Sequence, residues 1–293
     1  MIIQLNMIHF KAGRLALYLI FTTISLTGKS QFFEHIYPTG TINHYTAVEK
    51  IPSSTKIIIG ENDGSMHLSI DSGATISSIA SPTSGRINSI KFKDNLNGFL
   101  ATTLGELYTT VDGGNSWNIS YNNPSLSFNK LALHVSGKII GICDNGYYVL
   151  SDTNGANWTL SQFLNNFNLN DLVSLSNSVN IIIGDSGLIA TSNDLITWNE
   201  TIYDSTKNLY SISFPDTVTG YISGGEQSNG SNIIIKTTDG GTLWNTHLGN
   251  LHSGLNNNYD KLKSIFFTTP NRGFMLGSHF LTHLYETNDG GAT

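Results

Sequence analysis

An eight-residue pattern recurs along the chain at intervals of 40 to 50 residues, and any fold must accommodate it. Thr110-Val-Asp112-Gly-Gly114-Asn-Ser116-Trp117 returns as Thr237-Thr-Asp239-Gly-Gly241-Thr-Leu243-Trp244, and again as Thr287-Asn-Asp289-Gly-Gly291-Ala-Thr293. Ser69-Ile-Asp71-Ser-Gly73-Ala-Thr75-Ile76 has Ile in place of Trp, and looser copies end at Trp158 and Trp198. The Trp-equivalent positions 76, 117, 158, 198 and 244 are spaced by 41, 41, 40 and 46, and the next would fall at 294, 50 further on.

A second landmark precedes the first in phase. Ser89-Ile-Lys-Phe92-Lys-Asp94-Asn-Leu-Asn-Gly98 matches Ser211-Ile-Ser-Phe214-Pro-Asp216-Thr-Val-Thr-Gly220, and Ser264-Ile-Phe-Phe267 through Gly273 follows suit. Between the landmarks lie short apolar runs ending in turns, such as Ile57-Ile-Ile-Gly60 before Asn62-Asp-Gly64 and Ile181-Ile-Ile-Gly184 before Asp185-Ser-Gly187. Asp-Gly and Asn-Gly tolerate positive φ and join antiparallel strands. Each repeat therefore reads as four short strands, with little helix anywhere. Four such strands cannot bury both faces alone, whereas sheets packed radially can. The expected fold is all-β: a β-propeller of six four-stranded blades over residues 31–293, with a truncated seven-bladed ring as the alternative.

Residues 1–30 stand apart from the repeats. Lys11 and Arg14 precede the apolar run Leu15–Leu26, and small residues follow at Thr27, Gly28 and Ser30. This is the layout of a signal peptide, and the run falls short of the roughly 20 residues needed to span a bilayer. The expectation is a protein exported to the cell envelope or beyond, in a bacterium, with no transmembrane segment after cleavage. Removal of the leader would leave 12 basic against 21 acidic side chains, a net charge of −9. An acidic chain is repelled by phosphate backbones, which argues against a nucleic-acid partner. Cys143 is the only cysteine, so no disulfide framework exists, and its apolar setting reads as core.

The Ser/Thr-x-Asp-x-Gly-x-Thr-Trp pattern resembles the Asp-box, or bacterial neuraminidase repeat. That repeat occurs in sialidases, sortilin-type receptors, some xyloglucan-cleaving glycosidases and photosystem II stability/assembly factor-like proteins. The upstream Ser-Ile-x-Phe-x-Asp-x-x-x-Gly element looks most like the last group, whose propellers bind and assist other proteins. The resemblance implies a protein-binding or assembly scaffold more directly than it implies an enzyme. In those assembly factors a basic, arginine-bearing surface is expected to engage the client, but here only Arg86 and Arg272 follow the leader.

The box is folding chemistry first. A carboxylate and a hydroxyl two residues apart can cap backbone N–H groups of the turn, glycine supplies the dihedrals, and Trp covers apolar surface. Asp71, Asp112, Asp239 and Asp289, with Trp117, Trp158, Trp198 and Trp244, are accordingly assigned to structure. The sixth box ends at Thr293, so residues 31–38, and Phe32 to Tyr37 in particular, are expected to supply the last strand of blade six and remove an open edge.

Enzyme classes find little in the inventory. A sialidase-like site needs three arginines around the substrate carboxylate. A glycosidase needs a carboxylate pair; Asp63, Glu106, Asp144 and Asp185 are candidates, but their shared place in hairpin turns points to turn chemistry. His279-Phe-Leu-Thr-His283 has i, i+4 spacing in a strand-like context that does not suit zinc. Neither a metal nor a cofactor is implied, and no catalytic residue is assigned. The longest segments between landmarks, 226–232 and 248–259, are the candidate binding loops, with Glu226, Asn229, Asn256 and Tyr259 as contact residues. A protein partner is the first expectation, and carbohydrate binding or hydrolysis with Tyr259 facing the sugar is the second.

Overall fold

In the computed structural model the described residues are 44–152, 154–226, 232–247, 261–278 and 282–292. They form six antiparallel sheets in chain order, each joining strands that follow one another directly, and the fold is a β-propeller. Sheet 1 comprises β1 (Tyr45–Lys50), β2 (Ile57–Glu61), β3 (Met66–Ser69) and β4 (Ser77–Ile79). Sheet 2 comprises β5 (Ile87–Phe92), β6 (Gly98–Thr102), β7 (Glu106–Thr110) and β8 (Asn118–Asn122). Sheet 3 is β9 (Phe128–Leu133), β10 (Ile139–Cys143), β11 (Tyr147–Ser151) and β12 (Thr159–Gln162). Sheet 4 is β13 (Leu169–Ser174), β14 (Asn180–Gly184), β15 (Leu188–Ser192) and β16 (Asn199–Ile202). Sheet 5 is β17 (Lys207–Ser213), β18 (Gly220–Glu226), β19 (Asn232–Thr237) and β20 (Asn245–Thr246). Sheet 6 has three strands among the described residues: β21 (Lys261–Phe267), β22 (Gly273–Ser278) and β23 (Thr282–Thr287). The expected closing strand at 32–37, like the leader, lies outside the described residues. The described helical structure consists of two single 3-10 turns, Asp144–Gly146 and Asp185–Gly187.

The chain divides into two compact units, sheets 1 and 2 in one and sheets 3 to 6 in the other. Within each unit the core lies between successive sheets. In the first, Ala47, Ile58 and Met66 meet Ile87, Ile90, Phe92 and Leu100, with Trp117 packed at the margin. In the second, Ile140, Ile142 and Phe163 meet Leu172, Ile182 and Leu188. Ile181, Ile183 and Ile189 then meet Leu209, Ile222 and Trp244. The second strand of each of the first four sheets is buried along its whole length. The continuous apolar runs follow from that position, since a strand covered on both faces has no polar side to alternate with.

The two repeated landmarks prove to be one device. Phe92 ends β5, the chain turns, and Gly98 begins β6 opposite it. The Phe92 ring lies so close to Gly98 that a Cβ there would approach it to 2.7 Å. Phe214 covers Gly220, and Phe267 covers Gly273, in the same way. The fixed spacing from Phe to Gly is thus the length of a turn that folds an aromatic ring onto bare backbone. Trp117 meets the edge of Phe92 at 5.9 Å and Trp244 that of Phe214 at 5.8 Å, which brings the Trp that ends the first landmark onto the Phe of the second.

Carboxylates hold both turns. Asp94 Oδ1 accepts from the N–H groups of Leu96 (2.8 Å) and Asn97 (2.7 Å). Asp112 accepts from Thr110 Oγ1 at 2.7 Å, Ser116 N at 3.0 Å and Ser116 Oγ at 2.6 Å, while Gly114 N donates to Thr110 Oγ1 at 3.0 Å. Gly114 sits at φ +84°, a conformation that disfavours any side chain. Gly113 N then donates to Leu96 O at 2.9 Å, tying one turn to the other. The tie recurs as Ser72 N to Thr55 O, Gly240 N to Val218 O and Gly290 N to Asn271 O, at 2.9, 2.8 and 2.7 Å.

These donors stabilise the ionised carboxylates. The Ser116 hydroxyl and N–H pull Asp112 down to about 2, and the Thr197 and Ile196 N–H groups do the same for Asp194. A group whose folded pKa lies below its unfolded value of about 3.9 contributes stability above that value and loses it as the pH falls through the folded pKa. The thermal midpoint should therefore hold from pH 7 to 5 and decline between about pH 4 and 2. Asp112→Asn should lower the midpoint at pH 7 and flatten that decline in calorimetry; an unchanged decline would deny the turn this role. Gly98→Ala forces a methyl against Phe92 and should cost about 1–3 kcal/mol, a fall of about 3–10 °C in Tm by circular dichroism.

Candidate functional site

The first strand of each sheet carries one extra residue near its start. The register skips Thr46, Asn88, Asn129, Asn170, Tyr210 and Lys263, so all six sheets have a β-bulge at the same place. A bulge re-aims its side chain and sharpens the local twist. Here the re-aimed side chains reach the following sheet of their own unit. Thr46 Oγ1 donates to Ile87 O at 2.5 Å, Asn129 Nδ2 to Leu169 O at 2.9 Å and Asn170 Nδ2 to Leu209 O at 2.9 Å. Between sheets 5 and 6 the two bulge residues meet each other, with Lys263 Nζ 3.6 Å from the Tyr210 ring centroid.

In sheets 3 to 5 this stitch becomes a rail of amides and carboxylates at the hairpin-turn end. Asn129 Nδ2 also binds Asp144 Oδ1 at 2.8 Å, and Asn170 Nδ2 binds Asp185 Oδ1 at 2.8 Å. Asn145 and Ser186, at φ 57° and 53°, give their N–H groups to Asn168 Oδ1 and Asn208 Oδ1, both at 3.0 Å. Asn168 Nδ2 completes the link to Asp185 Oδ2 at 3.1 Å. Asp144 and Asp185 thereby hold the asparagines that reach the next sheet. The other two carboxylates considered for glycoside chemistry are held elsewhere. Glu106 accepts from Thr83 Oγ1 at 2.6 Å and Thr102 Oγ1 at 3.2 Å, and Asp63 accepts from Ser65 N at 2.9 Å. The Ser65 N–H keeps Asp63 below the ordinary carboxylate range, the opposite of what a general acid at neutral pH requires.

Beside the rail, residues 163–168 link β12 to β13. Phe163 anchors this link, packing at 5.2 Å from Tyr148 and 5.5 Å from Trp198. The next residue, Leu164, is 95% exposed. Amides surround it: Asn165 Nδ2 binds Glu200 Oε2 at 3.1 Å, and Gln162 Nε2 binds Asn145 O and Asn166 Oδ1 at 3.0 and 3.1 Å. An apolar knob is therefore presented on a loop pinned from below and flanked by hydrogen-bonding groups. Sequence reasoning missed it, because the longer segments 226–232 and 248–259 drew attention first. Glu226 ends β18; Asn229, Asn256 and Tyr259 lie outside the described residues.

The remaining candidates serve the turns and their margins. Asp71, Asp239 and Asp289 accept from the hydroxyls of Ser69, Thr237 and Thr287 at 2.8, 2.7 and 2.8 Å, as Asp112 does from Thr110. The indole N–H groups of Trp158 and Trp244 donate to Gly155 O and Gly241 O, each at 3.1 Å. Arg86 Nε binds Asn88 Oδ1 at 2.8 Å, and Arg272 pairs with Glu286 at 3.2 Å. Arg86 precedes the first strand of its sheet while Arg272 precedes a second strand, so they occupy turns of different kinds. Among the described residues no group of three or more His, Cys, Asp or Glu side chains is placed to hold a metal.

No family model matches the chain, and no curated protein does. Solved structures do. YCF48 bound to D1 peptide shares 17% identity with a TM-score of 0.66, over 86% of this chain and 80% of that one. YCF48 from Cyanidioschyzon merolae shares 17% identity with a TM-score of 0.62, over 84% and 83%. The GH74 xyloglucanase from Xanthomonas campestris shares 9% identity with a TM-score of 0.69, over 85% of this chain and 45% of that enzyme. At these identities the likeness is one of fold, and it places this chain among the β-propellers.

Proposed function

We propose that this protein is an exported β-propeller that binds a protein segment, without chemistry at that place, at the hairpin-turn end of sheets 3 to 5. The observation that carries the reading is Leu164, 95% exposed on a loop fixed by Phe163 and bordered by amides. Apolar anchors ringed by hydrogen-bonding groups suit a peptide, whose backbone offers donors and acceptors around each side chain. The solved neighbour YCF48 holds a D1 peptide, which supports peptide binding as a use of this fold. The carboxylates at this end are committed to Asn partners, so the site offers recognition without an acid–base pair. The Asp turns at the other end of the sheets belong, in this reading, to folding.

Export rests on the leader-like residues 1–30, and the intact mass of the native protein tests it. A mass beginning near residue 31 is expected; retention of the first 30 residues would overturn export by cleavage. Binding is tested by crosslinking the purified protein in envelope extracts of its source and comparing it with Leu164→Asp. A discrete protein partner, reduced at least tenfold in the variant, is expected. Saturable glycan binding without a protein partner would replace this reading by carbohydrate recognition through the same amides.

A further inference from the structure

Sheet 1 contains a side-chain constellation that the other sheets lack. Glu61 ends β2 and is 1% exposed; His67 on β3 is 5% exposed. Glu61 Oε1 is hydrogen-bonded to His67 Nε2, and His67 Nδ1 lies 3.3 Å from Ser78 Oγ. Ser78 is the direct cross-strand partner of His67, stands on the edge strand β4 and is exposed. Tyr45, paired with Glu61 across β1 and β2, turns the edge of its ring to His67 at 6.0 Å.

The repeats supply an internal control. At the register position of Glu61 the other five sheets carry Thr102, Cys143, Gly184, Gly224 and Gly277. At that of His67 they carry Tyr108, Val149, Ala190, Ile235 and Tyr285. The sheet therefore forms without an acid and an imidazole at these places. A buried carboxylate hydrogen-bonded to an imidazole is costly to desolvate and adds little stability over an apolar pair of the same shape. Its presence in one sheet of six calls for a role that the fold does not provide.

The geometry points to a Ser–His–Glu nucleophile, with Ser78 as nucleophile, His67 as general base and Glu61 orienting the ring, acting on small carboxylic esters. An ionised Glu61 can only accept, so it fixes the proton on Nε2 and leaves the Nδ1 lone pair facing the Ser78 hydroxyl. That is the logic of an activated serine, whichever ring nitrogen faces which group. Ser78 Oγ would attack the ester carbonyl carbon while its proton passes to Nδ1. The C–O bond to the alcohol then breaks and the alcohol leaves with that proton. Water attacks the acyl-serine, gives a proton to Nδ1, and the acid departs as the proton returns to Ser78.

The test uses the full chain, a biotinylated fluorophosphonate and p-nitrophenyl acetate. An adduct mapped to Ser78 in the folded protein, absent from the urea-unfolded protein and from Ser78→Ala, is expected. Ester turnover should follow the same pattern. Ser78 lies on the exposed edge, so Ser78→Ala should keep the circular dichroism spectrum and Tm of the parent. Glu61→Gln, of equal size, should slow labelling at least 100-fold because the amide no longer fixes the proton on Nε2. If folded protein labels no faster than unfolded protein, or if labelling persists in Ser78→Ala, the assignment is wrong.

Discussion

A strand buried on both faces cannot exist in a sheet that stands alone, and the first four second strands are of that kind. Ile57 to Glu61 and Asn180 to Gly184 have no solvent side, so each sheet is completed only by its neighbours. The intersheet cores, with Ile58 against Ile87 and Ile183 against Leu209, are the response to that requirement. Turns, bulges and edge residues are then arranged around a stack whose driving force is apolar burial.

Carboxylates do the local work that burial cannot. Burial is non-directional and leaves the angle of a turn undetermined, whereas Asp94 and Asp112 each gather N–H groups from their own turn. The Gly113 N–H to Leu96 O bond then makes the two turns a single rim element for the sheet. The same chemistry sets what these aspartates do. A carboxylate surrounded by donors is held ionised, and it is more useful as a fixed acceptor than as a proton carrier.

The repeat was legible because both landmarks are local: Phe92 to Gly98 and Thr110 to Trp117 are spacings within one turn. Four strands per repeat followed from them, and the count holds in five sheets, while the sixth has three among the described residues. The bulges were not legible. Three of the six bulge residues are Asn, but the others are Thr46, Tyr210 and Lys263, since a bulge is a property of register that several side chains satisfy. The Glu61, His67 and Ser78 constellation was hidden for a related reason, being spread over three strands whose alignment only pairing reveals. Leu164 carries no sequence signal, because its exposure depends on Phe163 turning inward beside it.

The bulge stitch also has a direction. Thr46, Asn129 and Asn170 each reach forward to the carbonyl just before the next bulge, so these three links join a side chain in one repeat to backbone in its successor. Backbone carbonyls are the same whatever the sequence, so the receiving repeat places no demand on the identity of its residue there. A copied repeat inserted after any of these sheets would meet a ready acceptor. Lineages could therefore lengthen or reshuffle such a chain by whole repeats, and its outer strands and loops would be free to diverge while the inner join stayed compatible.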